Sequence, residues 1–401
     1  MERKVIQVEE RPPLLLNIPL SIQHLFAMFG ATVLVPFLFN VNPTTCLFMN
    51  GIGTLLYLFL TKGKIPSYLG SSFAFISPVM VILSTSSYSD AQSGFIVFGL
   101  IFILFSLIIK YTGTGWIDII FPPACMGAII AVIGLELAPT AAGMAGLTGD
   151  VIDFRNIAVS MFTLAVTIIG SVAFKGFMAI IPILFGVICG YIFSFFMGLV
   201  DLAPVAAAPW FQMPHFYQPT FNLNAILIIA PAALVVLAEH IGHLVVTGNV
   251  VERNLIKDPG LARSLFADGC SNVLSGFFGA TPNTTYGENI GVMAITKVYS
   301  VWVIGGAAVM AICLSFVGKL SELIRSIPVP VMGGVCILLF GVIAASGIRV
   351  LVESKVDYSK SANLVMSSVI MIVGLSGAKL TFGTISVQGC LLYTSPSPRD
   401  R

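Results

Sequence analysis

The sequence predicts an all-α protein that crosses a membrane many times and is built from two halves of opposite orientation. Three observations carry that expectation. Of 401 residues, 57% are hydrophobic and only 9% charged, against about 25% charged in a soluble domain. Apolar runs near the ~20 residues that a span needs recur along the chain. Short patterns in the first half return in the same order in the second. The net charge of +2 gives no reason to expect a nucleic-acid partner. The seven cysteines are scattered without a CxxC pair, so neither disulfides nor a metal knuckle is expected. No cofactor is implied.

In chain order, Met1 to Pro13 carries both charge signs and no cleavage site, and reads as a cytoplasmic tail, not a signal peptide. Thirteen spans follow: 17–39, 44–61, 69–84, 92–109, 119–138, 156–173, 176–200, 224–247, 263–279, 282–296, 298–317, 328–347 and 362–378. The third and tenth are short. With the N-terminus inside, fourteen Lys and Arg fall on the cytoplasmic side and four outside, the bias that fixes orientation.

The repeat is visible in several registers. Pro122, Met126 and Gly127 recur as Pro328, Met332 and Gly333. Gly99 precedes the first proline by 23 residues, and Gly305 precedes the second by 23. Gln23-His24 is echoed by Glu239-His240. The short span holding Ser71-Ser72-Phe73 falls opposite the one holding Tyr286-Gly287-Glu288. Seven spans per copy is odd, so the second copy enters the membrane inverted. Paired, Gly/Pro-interrupted short spans in two inverted halves mark a transporter's site. Seven plus seven needs a fourteenth span. The residues from Cys390 onward cannot supply it and look like a translated sequencing adapter, so the authentic part of this sequence is expected to end near Gly389 and the native protein to continue into a fourteenth helix.

The chemistry concentrates at two places. Between Thr281 and Lys297 the chain is broken by Pro282, Gly287 and Gly291, with Glu288 in the middle. Irregular backbone at membrane depth must line a cavity or be buried in protein. It reads as an extended piece followed by a half-helix. Glu239, His240 and His243 lie in an otherwise apolar helix, with Glu239 and His243 four apart on one face. A carboxylate at a helix centre costs about 2.5–3.5 kcal/mol on the insertion scale, which packing alone would not require. Glu-His-x-x-His superficially suggests a metal site, but the zinc-protease order is His-Glu-x-x-His, and no metal is expected. Two carboxylates and the unwound backbone N–H groups near Ser72 and Phe73 suit a neutral planar ligand with alternating N–H and C=O groups, such as a uracil-like ring. They argue against an anion exchanger. His243, Glu239 and Glu288 are the candidates for proton coupling. Asp118 and Glu136 read as interfacial, and Asp268 has no assigned role.

At these residues the sequence resembles the nucleobase–ascorbate transporter family, the second nucleobase–cation symporter family. The signature of an acidic or amide residue, then Asn-x-Gly-x-x-x-x-Thr-Lys/Arg, stands as Glu288-Asn289-Ile290-Gly291 with Thr296-Lys297, and the first-helix pair as Gln23-His24. The likeness covers nearly the whole chain. It implies a seven-plus-seven inverted repeat with the fourteenth helix missing here, and two short antiparallel strands at broken helices 3 and 10. It implies core segments 14–112 and 223–318, and gate segments 113–222 and 319–389. Carried over, Glu239 and Glu288 hydrogen-bond uracil, the backbone at Phe73 and Gly287 completes the ring contacts, Ala31 and Tyr286 pack on it, and His243 joins the proton network. Asn289 steadies Glu288, with Ser72, His24 and Gln23 in support. The implied function is proton-coupled uracil import through the bacterial inner membrane by a homodimer, with purine (xanthine or urate) symport as the alternative. Glu at 288 favours the uracil branch. Phe340 stands where that branch has a tyrosine, so a hydroxyl contact is lost.

Overall fold

The computed structural model describes residues 5–115, 122–149, 152–176, 178–376, 379–382 and 385–388, the last two stretches and positions 31 and 180 by backbone alone. Within these residues the regular elements are helices apart from two strand pairs and two isolated bridges. Among the described residues, seven helical stretches are long and apolar enough to cross a membrane, and four shorter apolar helices lie among them.

The first half opens with α1 (Leu14–Leu38), α2 (Pro43–Leu60), strand β1 (Leu69–Ser71), a 3-10 turn at Phe73–Phe75, α3 (Ile76–Thr85) and α4 (Tyr88–Thr112). It continues with α5 (Pro123–Glu136), α6 (Ala138–Met144), α7 (Phe154–Ala173), α8 (Pro182–Phe196) and the short α9 (Ala203–Ala207). The second half holds α10 (Leu223–Ile229), α11 (Ala232–Val250), α12 (Leu261–Phe278), strand β2 (Asn283–Thr285), α13 (Gly287–Thr296) and α14 (Val301–Ser315). It ends with α15 (Gly318–Arg325), α16 (Val329–Glu353), α17 (Ser361–Leu375) and a hairpin of β3 (Lys379–Phe382) and β4 (Ile385–Gln388).

Proline accounts for two departures from the expected spans. The run expected at 119–138 stops at Glu136 and restarts as α6, with Pro139 in the new helix's first turn. The run at 224–247 is divided into α10 and α11 at Ala230–Pro231. A proline lacks the N–H that the helix interior needs, so it favours helix starts over helix interiors, although α1 runs through Pro19 and Pro36. The helices α9 and α15 were not expected. Lys319 donates to the carbonyls of Val205 and Ala206 at 3.2 and 3.0 Å and so ties α15 to α9.

The chain divides into two compact units. One comprises 1–76, 86–114 and 202–325, the other 77–85, 115–201 and 326–401. Relative to the expected segments, 202–222 and 319–325 fall in the first unit and 77–85 in the second. Within the first unit, α2 packs on α14 and α12 packs on α4, contacts related by the repeat. Within the second, α16 packs on α5 and α7, and α17 on α5. The repeated Gly127 and Gly333 are both places of close helix approach. A Cβ on Gly127 would lie 2.8 Å from the carbonyl oxygen of Gly347, and one on Gly333 would lie 2.4 Å from the nitrogen of Ala145. Small residues that let backbones meet are what hold helices together in lipid. Asp118 and the segment from 389 onward lie outside the described residues.

Candidate functional site

The two broken spans meet as an antiparallel ribbon. Leu69 pairs with Thr285, Gly70 with Thr284 and Ser71 with Asn283. Tyr286 N donates to Tyr68 O and Ser72 N to Pro282 O, both at 2.9 Å, so the ladder runs one residue past each end. A ribbon of two strands leaves two unpaired edges, and buried backbone groups must find partners. Side chains supply them. Thr54 of α2 accepts from Leu69 N at 2.9 Å. Asn272 of α12 accepts from Asn283 N at 2.6 Å and donates to Asn283 O at 3.0 Å, as another strand would. All four residues are fully buried. Gly70 has to be glycine, because a Cβ there would lie 2.3 Å from Cζ of Tyr286.

The ribbon sets two helix starts at its ends. Ser72 precedes the 3-10 turn, its hydroxyl accepting from Ala74 N at 3.4 Å, and Phe73 is the first residue of that turn. On the other strand Gly287 opens α13, and Tyr286 gives that helix no side-chain cap. The first N–H groups of a helix have no intrahelical partner, so the start of α13 offers donors and a partial positive charge. Glu288 sits in this first turn, half-buried, its carboxylate folded back on its own backbone. Helix α11 packs against β2, the 3-10 turn and α13. It brings in half-buried Glu239, within electrostatic reach of Glu288. One turn on, His243 Nδ1 meets Thr285 Oγ1 at 3.1 Å, and its Nε2 would be 3.3 Å from a Cβ on Gly287. Glu239, His243 and Glu288 thus lie around the start of α13, with His243 against Gly287 and Glu239 within electrostatic reach of Glu288.

The supporting residues take particular partners. Asn289 Nδ2 lies 3.0 Å from Nδ1 of buried His24 and donates to the His24 carbonyl at 3.2 Å. It therefore ties α13 to α1, a different partner from the Glu288 expected for it. Gln23 is half-buried, and its buried Oε1 has no hydrogen-bond partner among the described residues. The Tyr286 ring is buried beside Tyr68, Leu25 and Met28, and its hydroxyl donates to Ser71 O at 3.2 Å. The Ala31 side chain lies outside the described residues. Phe340 is buried on α16 of the second unit.

Three further polar residues find particular partners in the structure. Asp268 pairs with His240 at 3.1 Å, both completely buried. His240 Nε2 meets Ser264 Oγ at 2.7 Å, and Ser264 meets the Tyr57 hydroxyl at 2.7 Å. This chain faces α2 and α12, whereas His243 faces β2, so the two histidines do not share a ligand. Glu136, expected at the interface, is half-buried and accepts from Ser77 Oγ at 2.7 Å. Asp268 and Asn272 were within reach of sequence reasoning only as polar residues in a short span.

Residues 16–382 match the family model Xan_ur_permease, described as Permease family. The chain belongs to this permease family. The permease is 64% identical over 397 residues to "Uracil permease" of Escherichia coli strain K12, covering 98% of this chain and 92% of that one. It is 61% identical over 400 residues to the protein of the same name in Paenibacillus larvae, covering 98% and 95%. It is 47% identical over 385 residues to that of Bacillus subtilis, covering 93% and 88%. Among solved structures it is similar to the transmembrane domain of the cyanobacterial bicarbonate transporter BicA, with TM-score 0.65 and 14% identity over 91% of this chain and 100% of that one. Murine Slc26a9 in the inward-facing state aligns with TM-score 0.66 and 12% identity over 92% and 65%. At such identity these two show the fold alone. The permease is a multi-pass membrane transporter, not an enzyme.

Proposed function

We propose that the protein is a uracil permease that imports uracil together with a proton across the bacterial plasma membrane. The observation that carries the reading is the convergence of Glu239 and Glu288 at the open start of α13, beside His243. Two carboxylates accept from ring N–H groups, while the first-turn backbone N–H groups of α13 other than that of Glu288, which its own carboxylate engages, donate to ring carbonyls. An anion would add a third negative charge in a low dielectric, so a neutral ring is favoured. The names of relatives matching nearly the full length select uracil among neutral rings. Proton uptake by this acid cluster supplies the coupling. One charge moving through 100 mV releases about 2.3 kcal/mol, which sustains roughly 50-fold accumulation. The first unit is the substrate-carrying core and the second the gate. The charge bias places the N-terminus in the cytoplasm, and the functional form is a homodimer.

The test is uptake of labelled uracil by cells lacking their own permease. Glu239→Gln and Glu288→Gln each abolish uptake, and a protonophore abolishes accumulation by the unaltered protein. Normal uptake by either variant removes the site assignment. Stronger competition by unlabelled xanthine than by unlabelled uracil moves the protein to a purine substrate.

A further inference from the structure

Residues 5–11 run along the junction between α13 and α14. Ile6 N donates to Lys297 O at 3.1 Å, Tyr299 N to Ile6 O at 2.8 Å and Val301 N to Val8 O at 2.9 Å. These bonds form a short parallel pairing centred on Ile6 and Val298. Ser300, which caps α14, donates its hydroxyl to Glu10 O at 2.6 Å. Ile6 and Val8 are buried, Ile6 against Val298 and Val303. The Arg11 guanidinium lies 4.8 Å above the Trp302 ring. Glu9 turns the other way and makes a two-pronged ion pair with Arg253, in the loop after α11, with Nη2 to Oε2 at 2.8 Å. One segment therefore holds the ends of both helices that carry the converging carboxylates. Helix α13 has only ten residues, and Lys297 ends it in a left-handed turn. Its other end is the uncapped start beside Glu239, so the grip at Lys297 sets how far Glu288 reaches.

We propose that residues 5–10 form a strap that fixes α11 and α13 relative to each other, with Glu9 and Arg253 as positioning residues for the substrate. The transport readout rests on the uracil reading, and a second readout does not. The unaltered protein, Glu9→Arg, Arg253→Glu and the exchanged double variant are purified and reconstituted into liposomes. Uracil KM and maximal rate are measured, and so is hydrogen exchange at the amides of 293–301. Each single variant is expected to raise KM about five-fold, the upper range for an exposed ion pair, at unchanged maximal rate. Exchange at Tyr299 and Val301, whose amides the strap holds, rises in parallel, and the double variant restores both measurements. Single variants with unaltered KM and exchange, or a double variant that restores neither, overturn the strap. If the unaltered protein does not transport uracil, the substrate reading fails while the exchange data still judge the strap.

Discussion

Thr54→Val tests whether side chains complete the edges of the ribbon. Valine keeps the shape of threonine but removes the oxygen that accepts from Leu69 N at 2.9 Å. Thr54 and Leu69 are both completely buried, so water cannot take over. Leaving one buried donor unmade costs about 1–3 kcal/mol, a shift of roughly 5- to 150-fold in the equilibrium between paired and frayed ribbon. Asn272→Leu strands two groups, Asn283 N and Asn283 O, and also removes a donor to Asp268. Its cost is about twice as large, roughly 2–6 kcal/mol. Thr54→Ser keeps the acceptor and serves as the control. Melting of detergent-purified protein, followed by size-exclusion chromatography after heating, should rank unaltered and Thr54→Ser together, then Thr54→Val, then Asn272→Leu. Uracil affinity should fall in the same order, because the frayed ribbon misplaces the starts of the 3-10 turn and α13. Thr54→Val melting and binding like Thr54→Ser would refute the reasoning, and would mean that the Leu69 amide finds another partner.

Two further outcomes follow from charged pairs. Asp268→Ala leaves His240 facing an empty site in a fully buried place, and breaking one side of such a pair costs about 3–5 kcal/mol. Folded yield should drop sharply, and adding His240→Leu should recover part of it, whereas equal yields for the two variants would rule out the pairing. At the strap, Arg253 holds the Glu9 carboxyl below its ordinary value of 4.5. A carboxyl lowered on folding contributes above its unfolded value and loses that contribution as pH falls through the folded one. Exchange at Tyr299 and Val301, corrected for intrinsic rates, should stay flat from pH 8 to about 5 and rise below about 4.5, with Glu9→Gln showing no such rise. A rise already between pH 7 and 6 would assign the transition to another group.

Most of the architecture was legible because lipid imposes two strong rules, length and apolarity, on every span. The breaks at the third and tenth spans were legible for the same reason, since Pro282, Gly287 and Glu288 cannot belong to an ordinary span. What the sequence hid was which polar side chain serves which backbone. Thr54 is one polar residue in α2 and looks no different from Thr44 or Thr45, yet it lies at the height where β1 needs an acceptor. Asp268 looked like a carboxylate without a role, because its partner His240 stands in another helix and next to Glu239, which drew the attention. Asn289 was expected to steady its chain neighbour, but a helical residue faces away from the one before it. It therefore met His24 on α1. The backbone donors expected beside Ser72 are partly committed too, since Ser72 N pairs with Pro282 O. Pairing order depends on register across 200 residues of chain, which periodicity does not encode.

The repeat explains why one half carries the acids and the other does not. Thr54 and Asn272 occupy matching places, one on α2 and one on α12, and each completes one outer edge of the same ribbon. Their chemistry differs because the edges differ in demand. Thr54 accepts from Leu69 N at 2.9 Å and meets Leu69 O only at 3.4 Å, whereas Asn272 serves both a donor and an acceptor at 3.0 Å or less. The same divergence appears at Gln23-His24 and Glu239-His240. Both histidines are completely buried and both hold a neighbouring element, His24 through Asn289 and His240 through Ser264 and Asp268. The residue before each histidine points elsewhere and is free to differ. On α1 it is a neutral amide, and on α11 it is the carboxylate that lies within reach of Glu288. Symmetry thus supplies the scaffold twice, while the acid is needed once. Gln23 is half-buried, and its Oε1 has no hydrogen-bond partner among the described residues, so Gln23→Glu, although isosteric, would desolvate a charge with nothing to offset it and should lower the folded yield of purified protein; an unchanged yield would mean that the side chain at 23 reaches water.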